Sequence, residues 1–416
     1  MMKLDKFTMG IGDRFEHQGR AQLRAIQKFQ SEGVHVAPVW NKSHREHEII
    51  GTKPISVKKE AEAAVKALDW KGNYYIDADH IGLDNVDLFL DSSNYFTLDV
   101  ADMIGTEAEQ SEIDSFVSKY KKYADKNDLP DELKSHNISE QDITEIAGKY
   151  LQAIKEAGKI YRHIKSEKGE GNFVTEVSMD ETENPQTPVE MLFILAAIAE
   201  EGIPAQTIAP KFSGEFYKGI DYVGDVSAFR KEFKSDLEVI EYAVSEFNLP
   251  ENLKISIHSG SDKFSIYKPI KELLQKTGAG LHIKTAGTTW LEELHGLILS
   301  GKEGLNYARK IYKQALERID ELSGPYADVI NIDNNKLPSG SEIEAASAQE
   351  FSDMLVNDIN NPKYNIHLRQ LLHLSYKLPA ENLANYYNLL EKNQDIVGDQ
   401  VTKNIYRHIS QIFPEK

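Results

Sequence analysis

The chain has 416 residues, with 48 Lys and Arg against 66 Asp and Glu, for a formal charge of −18. That balance repels phosphate backbones and anionic membrane surfaces, so neither nucleic acid nor membrane is an expected partner. Cysteine is absent, which excludes disulfides, thiolate nucleophiles and Cys-based zinc sites and leaves any metal to His, Asp and Glu.

In chain order, short apolar segments with strand-like alternation recur as FTMGIG, GVHVAPVW, YYIDAD, YFTLDV, FVTEVSMD, QTIAP, LKISIHSG and GLHIKTAG. Helical patterns such as GRAQLRAIQKFQSEG, VKKEAEAAVKALDW, TPVEMLFILAAIAEEG and FRKEFKSDLEVIEYAVSEF separate several of them. Thr187 and Glu190 form a capping box with Pro188 at the first helical position, which marks one helix start. Eight strands alternating with helices predict a (β/α)8 TIM-type barrel, with a doubly wound open sheet as the alternative. The reading divides the chain into a first barrel half (1–104), a helical insertion after the fourth strand (105–171), a second barrel half (172–290) and a helical C-terminal extension (291–416). Within the extension, DVINID reads as one more strand. The longest apolar run, MLFILAAIA, is too short to span a bilayer, and MMKLDKFTMGIGDRF lacks the apolar stretch of a secretory signal, so a cytoplasmic location is expected.

Strand alternation locates a site, because in a barrel the apolar set faces the helices and the other set faces the axis. In LKISIHSG, Ile255 and Ile257 face outward and Ser256 and His258 inward; in GLHIKTAG, His282 and Lys284 face inward. The same parity sends Asp77, Asp79, Asp99, Glu176 and Asp180 inward, with Lys211 after the sixth strand and Arg14 past the first. His80 shares the phase of Ile76 and joins the group only if its strand has ended in a loop by then.

Convergent imidazoles suit zinc, manganese, cobalt, nickel or iron, so His80, His258 and His282 are the expected ligands of a divalent metal cation. Each alone more often describes a hydrogen-bonded structural histidine, and it is the three near strand ends of one barrel that bring a site level with that reading. His44 and His47 in SHREHEII are not expected to hold metal, since the segment is not HExxH. Asp79, Glu176 and Glu181 are the candidate acids and bases, although Asp180, Glu181 and Glu183 also read as charges favouring a helix N-terminus. Ser259 and Lys263 in HSGSDKFSIY offer anion-binding groups. GIGDRF lacks the third glycine of a dinucleotide fingerprint and implies no nicotinamide. Arg369, His373 and Lys377 fall at i, i+4 positions on one helix face, which either covers the barrel mouth or is solvated.

FVTEVSMDETENPQTPVEMLFILAAIAEEG, QTIAPKF, KISIHSGSDKFSIY, LHIKTAGTTWLEEL, YNIHLRQLLHLSYKL and VTKNIYRHI together resemble the tagaturonate epimerase family of hexuronate catabolism. The resemblance covers most of the chain and is weak in the insertion and in residues 40–70. It implies a metal-dependent barrel enzyme interconverting D-tagaturonate and D-fructuronate, with a small hexuronate as its partner. These keto-acids differ at a carbinol carbon β to the ketone, whose C–H is not acidified, so retro-aldol chemistry is expected rather than deprotonation. Asp79 would take the carbinol proton, Glu181 or Glu176 would return it, and Arg14, Lys211, Lys263 or Lys284 would bind the uronate carboxylate. The alternatives are a metal-dependent ketose isomerase or aldolase on a sugar acid or sugar phosphate, and a non-catalytic sugar-acid-binding barrel. Oligomeric state is not legible.

Overall fold

A computed structural model describes residues 2–124 and 129–415. Eight parallel strands close into a barrel in sequence order: β1 (Phe7–Ile11), β2 (Ala37–Ser43), β3 (Tyr75–Ile81), β4 (Tyr95–Asp99), β5 (Val174–Ser178), β6 (Thr207–Ala209), β7 (Lys254–Ile257) and β8 (Leu281–Lys284), with β8 pairing back onto β1. The open-sheet alternative is thereby excluded. Around the barrel run α1 (Gly19–Gln30), α2 (His44–Ile50), α3 (Ile55–Ala67), α4 (Gln110–Tyr120), α5 (Asp131–Lys134), α6 (Glu140–Lys168), α7 (Pro188–Glu200), α8 (Val226–Phe247), α9 (Phe264–Thr277) and α10 (Thr289–Leu299). The capping box that opens α7 is formed by Thr187 and Glu190, with Pro188 in its first turn.

The outward residues Ile255, Ile257, Leu281 and Ile283 belong to the large apolar core between strands and helices. A separate small cluster of Leu4, Ala37, Val39, Tyr75, Tyr95 and Val174 plugs the barrel's lower end. Each fully buried aliphatic side chain contributes about 1.5–3 kcal/mol, so this shell carries the stability that the polar upper interior does not. Between residues 105 and 171 lie α4, α5 and α6, and α6 packs on β4 and α7, the place of a barrel helix. No α-helix follows β3; the short turn Val86–Leu88 connects it to β4.

The helices after α10 build a second core around Trp290, Leu294, Tyr312, Phe351 and Tyr386, into which Phe15 from the loop after β1 and Ile50 from the end of α2 insert. That anchors the extension over the barrel mouth. The final helix, Gln394–Ile412, returns to pack on α1, α9 and α10 and completes the outer ring. The segment DVINID is not a strand: a 3-10 turn runs through Val329 and irregular chain follows. Among the described residues, no helix is long and apolar enough to cross a membrane.

Candidate active site

Two histidines and one aspartate converge at the barrel mouth. His80, Asp180 and His258 each place a ligand atom within 4.8 Å of the others, the sole such group among the described residues. The strand carrying His80 has not ended, contrary to expectation; β3 runs to Ile81, and its register against β4 slips between Ala78 and Ile81. The extra residue of this bulge is accommodated at His80, whose φ is 53°, so Asp79 and His80 both reach the mouth. Left-handed backbone at a non-glycine residue costs of order 1–3 kcal/mol and clusters at functional sites. Ser259 and Asp262, just past His258, share it with φ of 50° and 63°.

The surroundings fit a divalent cation. His80 Nδ1 lies 2.9 Å from Asp99 Oδ2, and His258 Nε2 lies 2.7 Å from Glu176 Oε1. Each imidazole thus donates one N–H to a carboxylate and turns its other nitrogen inward, the arrangement by which metal-binding histidines are oriented. His258 Nδ1 makes no hydrogen bond yet lies 3.0 Å from Asp180 Oδ1, close to the spacing of about 3.0–3.4 Å expected for two ligands ~2.1 Å from one ion. Burial opposes charge on His80, but Asp79, Asp99 and Asp180 outweigh it and raise its pKa to about 10. Burial likewise opposes charge on His258, and Asp180 and Glu176 override it. The pocket is therefore a place for positive charge, and a bound ion would displace these protons.

Beneath this group lies an anionic network. Lys284 Nζ donates to Asp79 Oδ1 at 2.6 Å and Thr97 Oγ1 at 2.8 Å, and lies 2.9 Å from Asp77 Oδ2 and 3.1 Å from Glu176 Oε1. Burial pushes Asp77 up, whereas Lys284, His80 and His258 overcome burial at Asp79 and hold it below the ordinary range. Glu176 is also kept ionised against burial, by Lys284 and His258.

Two adjoining cavities, of about 380 and 800 Å³, open over this floor and share Arg45, Asp180, Glu181, Lys218, His258, Ser259 and Tyr326. Of the residues predicted from sequence, Arg14, Asp79, His80, Glu181, His258, Ser259, Lys263 and Lys284 line the inner cavity, and Lys211 lines the outer one. Glu181 has no hydrogen-bond or ion-pair partner among the described residues. Glu176 lies below the cavities: it is fully buried, and its oxygens are engaged by Tyr95, Thr97 and His258. His282 is not with the other imidazoles. Ser256, not His258, pairs with His282 in the sheet, which leaves His282 two residues, about 6–7 Å, deeper. There its Nδ1 meets Thr8 Oγ1 at 2.8 Å, and burial lowers its pKa to about 3.

Three of the expected anion-binding cations are already committed. Lys263 Nζ donates to the carbonyls of Tyr217, Ile220 and Ser261, Lys284 serves the carboxylates, and Arg14 Nε donates to Glu46 at 2.6 Å while stacking on Tyr376. Sequence reasoning missed Lys218, whose Nζ donates to Ser259 Oγ at 2.8 Å beside Asp180 and Glu181. It sits in the irregular loop after β6, where no periodicity points to it. Neither SHREHEII histidine joins the cluster: His44 faces Glu48 at 3.6 Å, and His47 bonds Thr52 at 2.8 Å.

The sequence profile of UxaE, tagaturonate epimerase, matches residues 1–412. A tagaturonate/fructuronate epimerase of Thermotoga maritima is 29% identical over 422 residues, covering 97% of this chain and 80% of the relative. Among solved structures, a glycerol-complexed fructuronate-tagaturonate epimerase UxaE from Cohnella laeviribosi is similar with a TM-score of 0.78 and 24% identity, over 99% of this chain and 82% of that one. The native crystal structure from the same organism gives 0.76 and 23% over the same shares; at such identity the likeness is one of fold.

Proposed function

The chain belongs to the tagaturonate epimerase family, and from that membership we propose that it interconverts D-tagaturonate and D-fructuronate with a divalent cation held by His80, Asp180 and His258. The observation that carries the metal assignment is the pairing of each histidine's outer N–H with a carboxylate, Asp99 or Glu176, which leaves the inner nitrogens as acceptors beside Asp180. A cation bound there supplies Lewis-acid polarisation of a ketone oxygen.

The side chains around it account for the rest of the chemistry. The carbinol carbon to be inverted is β to the ketone, so the bond between the α and β carbons is the one to break. Asp79, ionised at the cavity floor and steadied by Lys284, takes the carbinol proton. The C–C electron pair then passes to the ketone as an enediolate, and the β carbon becomes an aldehyde. After the aldehyde turns its other face, the same bond re-forms and Glu181 returns a proton to the new alkoxide. Atoms and electrons balance without a redox partner. Arg45 and Lys218 bring positive charge to the cavity and suit the uronate carboxylate, while Lys211 extends that charge outward.

Proton NMR of D-tagaturonate with metal-loaded protein, an EDTA-treated sample and His258→Ala tests the reading. D-fructuronate is expected only with the metal-loaded wild type. Equal turnover after complete metal removal would sink the metal assignment, and no turnover with metal bound would sink the substrate assignment.

A further inference from the structure

The extension brings one more polar group into the inner cavity. On the helix Ile366–Leu374, Arg369 and His373 lie one turn apart and are 1% and 4% exposed; Lys377 instead pairs with Glu321 at the surface. Arg369 is fully engaged. Its Nε donates to Gly219 O at 2.5 Å, Nη1 to Leu355 O at 2.7 Å and Nη2 to Asp262 Oδ2 at 2.9 Å. The bonds to Gly219 and Asp262 tie the helix to the loops after β6 and β7, so the next turn, with His373, is fixed relative to the barrel mouth.

His373 has the opposite character. Its Nδ1 is buried without a partner, and no hydrogen bond or ion pair engages the ring among the described residues. A buried polar atom left unpaired opposes folding, yet the surroundings are shaped around this ring. A β-carbon at Gly287 would lie 2.9 Å from Cε1 and 3.3 Å from Nε2. One at Gly219, whose φ is +76°, would lie 3.3 Å from Nδ1. Two glycine backbones thus clamp an imidazole that lines the cavity beside Arg14 and Lys218. Burial, followed by the charges of Arg14, Lys218, Arg369 and Lys263, keeps it neutral. A neutral imidazole has one donor and one acceptor. That matches a hydroxyl, whereas a carboxylate is drawn to the neighbouring cations.

We propose that His373 is a substrate-binding residue, contributed by the C-terminal extension, whose ring hydrogen-bonds a hydroxyl of the bound sugar acid. This rests on the epimerase reading of the same cavity. His373 acts in binding, whereas Asp79 and Glu181 act on the reacting proton.

The test compares wild type, His373→Leu and His373→Gln, all metal-loaded, by KM and kcat on D-tagaturonate, by metal content, and by the thermal shift that D-tagaturonate induces. The Leu variant is expected to raise KM about tenfold or more with kcat within about threefold, and the Gln variant, whose amide reaches the position of Nε2, to recover most of the loss. Metal content stays at the wild-type level in both. A Leu variant with wild-type KM and thermal shift overturns the proposal while leaving the epimerase reading intact. If Leu does not fold, a Gln variant with KM raised as far as an Asn variant, which cannot reach that position, overturns it. A wild type that binds D-tagaturonate without turning it over, with the shift lost in Leu and kept in Gln, upholds the proposal and overturns the epimerase reading.

Discussion

Replacing Lys284 with Met isolates the ammonium on which the barrel interior depends. The side chain is 6% exposed and lies within 3.1 Å of Asp77, Asp79 and Glu176, so its loss leaves two or three carboxylates facing one another. Groups about 5 Å apart at an effective dielectric near 20 repel by roughly 3 kcal/mol per pair, and removing one partner of a buried ion pair costs about 3–5 kcal/mol. For 416 residues that is a Tm lower by about 4–6 °C. The pH dependence has a definite sign. Without the cation, these carboxylates have folded-state pKa values above their unfolded values, so the folded variant binds more protons and loses stability as pH rises. In the wild type, Glu176 and Asp79 are held low, so their contribution is present at neutral pH and lost as pH falls through their folded values. The gap between the two proteins therefore narrows from pH 7 to pH 5. Thermal and urea melts at both pH values measure it. A loss below about 1 kcal/mol at pH 7, or a gap that widens on acidification, would refute the reasoning.

Three further outcomes are expected. Asp99→Ala removes the acceptor 2.9 Å from His80 Nδ1 and is expected to weaken divalent-metal affinity about 10–100-fold, read by competition with a chromogenic chelator; unchanged affinity would show that His80 is not a ligand. Asp79→Asn and Glu181→Gln are each expected to lower kcat about 10²–10⁴-fold with metal retained, in steady-state assays run in both directions. His47, whose pKa burial and Lys42 lower to about 3, stays neutral in the fold but protonates when unfolded below about 6.5. Stability is thus lost between those values by up to about 1.4 kcal/mol per pH unit, and His47→Leu is expected to flatten melts over pH 4–6; an unchanged slope would contradict that.

The barrel was legible because its strands alternate strictly. Ile255 and Ile257 facing the helices force Ser256 and His258 inward, and the same parity collected Asp77, Asp79, Glu176 and Lys284 into one network. Parity says nothing of depth, however. His258 and His282 share a phase, but the stagger of β7 against β8 separates them by a layer, so the residue that gathers with His80 and His258 closely enough to share an ion is Asp180 rather than His282. His80 reaches the site through a bulge with left-handed backbone, which alternation alone does not encode. Lys218 lies in a loop without period, and the burial of Arg369 and His373 is a tertiary fact. Their i, i+4 spacing marked the helix face but not whether it met solvent or the cavity.

The most direct test of the account is the conversion of D-tagaturonate in D2O by the metal-loaded protein, with the product's inverted carbon examined by proton NMR. Cleavage and re-formation of the C–C bond never removes the hydrogen on that carbon, so D-fructuronate carrying protium there is predicted. Deuterium at that carbon would contradict the mechanism and point to direct proton abstraction.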